Sequence, residues 1–121
     1  MKAFLRSFYY AFQGIAHTLR TQRNARIHLL ITGIVVVAGV WLRITAIEWA
    51  VVALTVGLVI GAEMLNTVAE MAVDLLTQRQ HPLAKIAKDT GAGAVLITAL
   101  AAVGVGIAIF GPRLWGLLFG P

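Results

Sequence analysis

Charges punctuate this chain rarely, and the gaps between them outline its elements. Between Arg26 and Arg43 lie 16 uncharged residues, Ile27 to Leu42. Between Glu48 and Glu63 lie 14, Trp49 to Ala62, and between Asp89 and Arg113 lie 23, Thr90 to Pro112. About 20 helical residues at 1.5 Å each cross a hydrocarbon core of ~30 Å. The third gap meets that length. The first is slightly short, and Arg26 and Arg43 can snorkel at its ends. The second covers only ~21 Å by the same rise, yet its helical pattern runs on past Glu63 to about Thr77. The pattern predicts three spans, at about 27–43, 46–77 with a polar extension, and 83–110.

The first 20 residues are patterned differently. Phe4, Phe8, Phe12, Ile15 and Leu19 recur at spacings of three and four, while Arg6, Gln13, His17 and Arg20 lie largely off that stripe. This predicts an amphipathic helix over about 3–20, lying on the membrane surface or packed on the bundle. The expected fold is an all-α integral membrane protein with three transmembrane helices and this N-terminal surface helix, in a single domain over 1–121. No signal-peptide pattern stands out before the first span.

Composition agrees. Hydrophobic residues make up 60% and charged residues 12%, with five acids: Glu48, Glu63, Glu70, Asp74 and Asp89. A soluble domain carries roughly a quarter charged residues, so a soluble globule, a disordered tail and a collagen-like fibre are excluded. The absence of Cys excludes disulfides, thiolate metal sites and a cysteine nucleophile. The net charge of +5 comes from basic residues flanking the apolar runs, where they meet anionic lipid or set topology rather than bind nucleic acid. Five flank the first span on its N-terminal side (Lys2, Arg6, Arg20, Arg23, Arg26) and three lie between spans two and three (Arg79, Lys85, Lys88). Only Arg43 and Arg113 lie on the other side. That bias puts the N-terminus in the cytoplasm, and Trp41, Trp49 and Trp115 at the outer interface. Glu48 is expected beside Arg43 in the outer loop. Gly57 and Gly61, with Gly91, Gly93, Gly104 and Gly106, suit close helix packing. His81-Pro82 marks the break before the last helix.

One stretch carries candidate chemistry. Glu63, Asn66, Glu70 and Asp74 are spaced three, four and four. At about 100° per residue they share an arc of roughly 80°. Met64, Leu65, Val68, Met71, Ala72 and Leu75 face the other way. Glu63 falls at the lipid boundary, where an ionisable group is costly and signals function, here as a general base. Glu70 and Asp74 reach headgroup depth, where carboxylates can hold Mg²⁺. Lys88-Asp89 adds a lysine suited to a phosphate chain. Carboxylates, an amide and a lysine at a membrane surface suit phosphoryl transfer to a lipid alcohol. A solvated helix extension paired with Lys85 and Lys88 is the alternative for the same spacing.

At these residues the chain resembles the prokaryotic diacylglycerol kinase and undecaprenol kinase family. The matching segments are Glu63-Met-Leu-Asn66-Thr-Val-Ala-Glu70-Met-Ala-Val-Asp74, His81-Pro-Leu-Ala-Lys-Ile-Ala-Lys88-Asp89, and Arg23-Asn24-Ala-Arg26-Ile-His28. The resemblance implies a homotrimer with active sites shared between protomers at the cytoplasmic interface, MgATP as donor and a membrane lipid alcohol as acceptor. By position it implies Glu63 as catalytic base, Asn66 as its orienting partner and Glu70 as a Mg²⁺ ligand. Lys88 is similar to the phosphate-binding lysine and Asp89 to the acid that supports it. Asp74, His81 and Tyr10 match positions near the nucleotide, and Arg6 matches one that holds phosphate or headgroup. Where the family has a second metal-ligating Glu, this chain has Gln22, whose amide oxygen can coordinate but brings no charge. The Arg23–His28 segment and the His81–Lys85 run resemble the undecaprenol kinase branch more closely, with diacylglycerol as the alternative acceptor. A channel lined by Glu63, Asn66 and Glu70 would need polar residues deep in several helices, and the other spans offer only Thr32 and Thr98. A structural or holin-like protein gives no reason for a clustered polar face.

Overall fold

The computed structural model describes residues 1–77 and 81–120 and consists there of four helices: α1 Lys2–Thr21, α2 Arg23–Trp41, α3 Ala46–Leu76 and α4 Pro82–Phe119. Three of them, α2, α3 and α4, are long and apolar enough to cross a membrane. Arg79, counted above on the second connection, lies outside the described residues.

Each helix end has a local cause. A single extended residue, Gln22, separates α1 from α2 (φ −98°, ψ 118°), and its N–H still bonds Thr18 O at 2.8 Å. The helix of the first span therefore starts at Arg23, four residues before the apolar run that marks it. α2 ends in a Schellman motif: Ile44 N–H bonds Gly39 O at 3.1 Å and Arg43 N–H bonds Val40 O at 3.3 Å. Arg43 takes the left-handed position, φ 51°, that glycine usually fills. α3 starts with a capping box, Thr45 Oγ1 accepting from Glu48 N–H at 3.3 Å and Glu48 Oε2 accepting from Thr45 N–H at 2.7 Å. His81 caps α4 through Nδ1, which accepts from Leu83 N–H at 3.2 Å, and Pro82 occupies the first turn.

Two expectations from the sequence are revised at the Glu48 end of the molecule. The last helix does not stop near 110 but continues through Pro112 to Phe119. Gly111 lacks the Cβ that would clash with the proline ring, and Arg113 Nη1 donates to Ile109 O at 2.7 Å. Glu48 stands in the first turn of α3 and not in a loop. It takes both arms of the Arg113 guanidinium at 2.8 Å each, tying the start of α3 to the far end of α4.

The principal packing is α3 against α4, with α2 leaning on α3. Ile44, Val52 and Ile109 form a buried cluster, with Trp49, Val56 and Phe110 against it. Trp49 is thus a packing residue, unlike the exposed Trp41 and Trp115. Its ring lies so close to Gly39 that a Cβ there would meet it at 2.8 Å. Most other large apolar side chains face outward, as lipid contact requires. By helical rise α3 is about 46 Å long, well beyond a ~30 Å core. That excess length is enough for Glu70 and Asp74 to lie beyond such a core.

Candidate active site

Four polar residues are buried in the described chain, and three of them, Glu63, Asn66 and Thr67, share one turn of α3. Glu63 is 2% exposed. Thr67 Oγ1 donates to Glu63 O at 2.9 Å, which satisfies the hydroxyl within its own helix. The Glu63 side chain is different: Oε2 is buried without a hydrogen-bond partner. Asn66 Oδ1 is in the same condition. Buried polar atoms normally have partners, and leaving one bare costs about 1–3 kcal/mol. Two bare acceptors within one turn are suited to a donor that arrives with substrate.

Glu70 lies one turn beyond. Asn66 Nδ2 donates to Glu70 Oε1 at 3.1 Å, and Gln22 Nε2 donates to Glu70 Oε2 at 3.3 Å. The single extended residue between α1 and α2 thus delivers its amide to α3. Each Glu70 oxygen has one amide partner and keeps lone-pair capacity. Mg²⁺ is commonly held by one or two carboxylates together with substrate phosphates. The Glu70 carboxylate with the Gln22 amide oxygen fits that donor set. Among the described residues no group of three or more His, Asp or Glu forms a closed cage.

Gly91 on α4 explains how α4 comes so close. A Cβ at that position would lie 2.3 Å from Asn66 Oδ1 and 3.7 Å from Asn66 Cα. With the Asn66 amide as it stands, only glycine fits there. The sequence marked Gly91 for helix packing but not as the neighbour of Asn66, because a glycine pattern does not name the opposing residue.

The remaining candidates lie at the surface. Lys88 Nζ pairs with Asp74 Oδ1 at 2.5 Å, and its chain neighbour Asp89 pairs with Lys85. Both pairs are exposed and contribute little to stability, so they leave the lysines free to exchange partners. His81 serves as the α4 cap. Arg6 and Tyr10 lie exposed on α1, Tyr10 edge-on to Tyr9 with ring centroids 5.7 Å apart. No hydrogen bond or ion pair among the described residues joins them to Glu70.

Residues 9–110 match the family model for prokaryotic diacylglycerol kinase. The chain belongs to that family. This lipid kinase is 40% identical over 114 residues to an undecaprenol kinase of Bacillus subtilis, a match covering 94% of this chain and 93% of the relative. It is 49% identical over 113 residues to a diacylglycerol kinase of Synechocystis, covering 93% of this chain and 65% of that relative. An Escherichia coli diacylglycerol kinase is 40% identical over 68 residues, 56% of each chain. The matched region of the kinase contains Gln22, the whole polar face of α3 and the start of α4.

Proposed function

We propose that this kinase transfers the γ-phosphoryl group of MgATP to the hydroxyl of undecaprenol at the cytoplasmic face of a bacterial inner membrane. The observation that carries the site assignment is the buried Glu63 carboxylate with its bare Oε2, one turn from the Asn66–Glu70–Gln22 cluster. In the reaction the lipid oxygen forms a bond to the γ-phosphorus, the bond from that phosphorus to the bridging oxygen breaks, and ADP leaves. Glu63 accepts the hydroxyl proton. Asn66 orients the site through its bond to Glu70. Glu70, with Gln22, would hold Mg²⁺, which when bound neutralises charge on the phosphates. Lys88 turns from Asp74 to the phosphate chain, and Asp89, Asp74 and His81 border the nucleotide.

The family resemblance supports a homotrimer with sites shared between protomers, in which Arg6 and Tyr10 of α1 complete the nucleotide site. The Phe4, Phe8, Phe12 and Ile15 side chains are exposed on α1, with Phe4 and Phe8 rings 5.0 Å apart, which supports α1 as a helix lying at the membrane surface, and the Lys/Arg bias of the sequence supports a cytoplasmic N-terminus.

Undecaprenol is favoured because the undecaprenol kinase relative matches nearly the whole of both chains. Diacylglycerol is the second reading, favoured by the higher identity of the Synechocystis relative. Transfer from radiolabelled ATP, with both lipids offered side by side to the reconstituted protein, separates them. Faster labelling of undecaprenol is expected. Labelling of diacylglycerol alone would replace the first reading with the second, and labelling of neither would remove both.

A further inference from the structure

Between residues 27 and 62 and between residues 90 and 120 the charged side chains are Arg43, Glu48 and Arg113. All three lie at the end of the molecule away from Glu63. By helical rise Arg113 is about 36 Å along α4 from Asp89, more than the ~30 Å of a hydrocarbon core. With Asp89 in one headgroup layer, Arg113 reaches the other. A recess opens there between the α2–α3 turn and the last turns of α4. Trp41, Leu42, Arg43, Arg113, Gly116 and Leu117 line it.

Glu48 is fully engaged. Its Oε1 accepts from Arg113 Nη1 at 2.8 Å, and its Oε2 accepts from Arg113 Nη2 at 2.8 Å, Thr45 N–H at 2.7 Å and Thr45 Oγ1 at 2.9 Å. Arg113 Nη1 also donates to Ile109 O at 2.7 Å. A guanidinium has five N–H donors in a planar fork. The bonds in use leave Nε–H and the remaining Nη2–H, which run parallel along one edge of the plane. Such an edge is suited to two parallel bonds with a carboxylate or a phosphate. Arg43 keeps all its donors, because its side chain makes no hydrogen bond or ion pair among the described residues. Glu48 balances Arg113, so this end carries one positive charge, on Arg43.

The backbone adds a second observation. Arg43 fills the left-handed position of the Schellman motif, φ 51°, where glycine fits without strain and arginine does not. The strained residue is the one that brings a free, exposed guanidinium to the recess. Depth and chemistry then select the occupant. A cation in a headgroup layer meets phosphodiesters, and one net positive charge favours lipids that are net negative. Trp41, Leu42 and Leu117 give the same recess an apolar surface suited to the glycerol and first acyl carbons of a lipid. The site also stands apart from the shared kinase machinery, since Arg113, Gly116 and Leu117 follow residue 110, where the family match ends.

We propose that this recess binds the phosphate of an anionic phospholipid, held by the open edge of Arg113 and by Arg43, with Leu42 and Leu117 against the apolar part of the lipid. It is a lipid site separate from the phosphoryl transfer, at the opposite end of the molecule. The bound headgroup bridges the α2–α3 turn and the tail of α4.

The test uses the full-length protein in phosphatidylcholine vesicles holding a trace of phosphatidylglycerol with a photoactivatable diazirine beside its headgroup. Labels are expected on Trp41, Leu42 and Leu117, which line the recess. Unlabelled phosphatidylglycerol should displace them, and inorganic phosphate in the buffer should not. Arg43→Gly keeps the turn, because glycine suits the left-handed position. It should cut the labelling roughly tenfold, as for one lost charge-assisted contact. Arg113→Lys keeps a cation beside Glu48 but lacks the second edge, and should cut the labelling severalfold. If Arg113→Lys does not fold, Arg43→Gly alone decides. Labels confined to residues outside the recess, labels unmoved by Arg43→Gly, or equal labelling by a phosphatidylcholine probe would each overturn the proposal. So would displacement by inorganic phosphate, which assigns the site to the free ion, or crosslinks from Leu117 to a second copy, which assign the surface to an interface. No phosphoryl transfer enters the readout, so the outcome stands whichever lipid alcohol the kinase uses.

Discussion

Gln22 reaches across 48 residues of sequence to donate its side-chain amide to Glu70 Oε2 at 3.3 Å. A carboxylate at the same place could not donate, and would instead face Glu70 as a like charge unless a cation or proton lay between them. The amide therefore holds this part of the site together without a metal. It also removes one negative charge from the donor set that Mg²⁺ would meet.

Gln22→Glu is accordingly expected to shift the Mg²⁺ dependence. The variant should reach half-maximal activity at lower Mg²⁺, by roughly tenfold for one added carboxylate ligand. Its thermal midpoint without Mg²⁺ should fall below that of the wild type and recover when the ion is added. Superimposable Mg²⁺ titrations for the two proteins would remove Gln22 from the metal site.

Glu63→Gln should lose activity by about 10²-fold or more while the fold and its helicity persist. The substitution keeps the shape and replaces a buried ionisable group by a neutral one, so thermal stability should stay level or rise. Phosphoryl transfer and the unfolding midpoint measured on the same preparation check both halves. Full activity in the variant rules out Glu63 as the base.

Gly91→Ala tests the approach of α4 to α3. Its Cβ would overlap Asn66 Oδ1 at 2.3 Å, so the amide must rotate or the helices part, and either disturbs the Asn66–Glu70 bond. A fall in kcat and an overpacking cost of about 1–3 kcal/mol are expected. Gly93→Ala, where a Cβ meets nothing within 4 Å, should have neither effect. Equal behaviour of the two variants would show that the contact is unimportant.

Lys88→Ala should act on nucleotide use rather than on folding. The Lys88–Asp74 pair is exposed, with side-chain accessibilities of 38% and 64%, so its loss should change stability by less than about 1 kcal/mol. A severalfold rise in the apparent KM for ATP is expected, since a phosphate-binding charge is lost. An unchanged KM and an unchanged rate would assign Lys88 to the surface alone.

The helix-forming stretches and the polar face were legible because both depend on local order. Uncharged runs of membrane length report spans whatever they pack against, and the spacing of Glu63, Asn66, Glu70 and Asp74 places them on one side of any α-helix. The ends were less legible. Pro112 predicts a stop by its own chemistry, but Gly111 before it and Arg113 after it let α4 continue. Trp49 has the amphipathic ring of an interface residue, and the tertiary structure sets it against Gly39 and the Ile44, Val52 and Ile109 cluster.

What this sequence determined by itself is an all-helical membrane chain with nearly all its acids gathered toward one end, because hydrophobic length and helical period act residue by residue. What only tertiary structure decided is pairing. Asp89 follows Lys88 in the chain yet pairs with Lys85 one turn away, while Lys88 crosses to Asp74 on another helix. Glu48 neighbours Arg43 in sequence and binds Arg113 from α4. Gln22 and Glu70 meet because one extended residue ends α1 beside α3. Hydrogen bonds and ion pairs act over a few ångströms, and which groups come within that range is settled by how the helices cross.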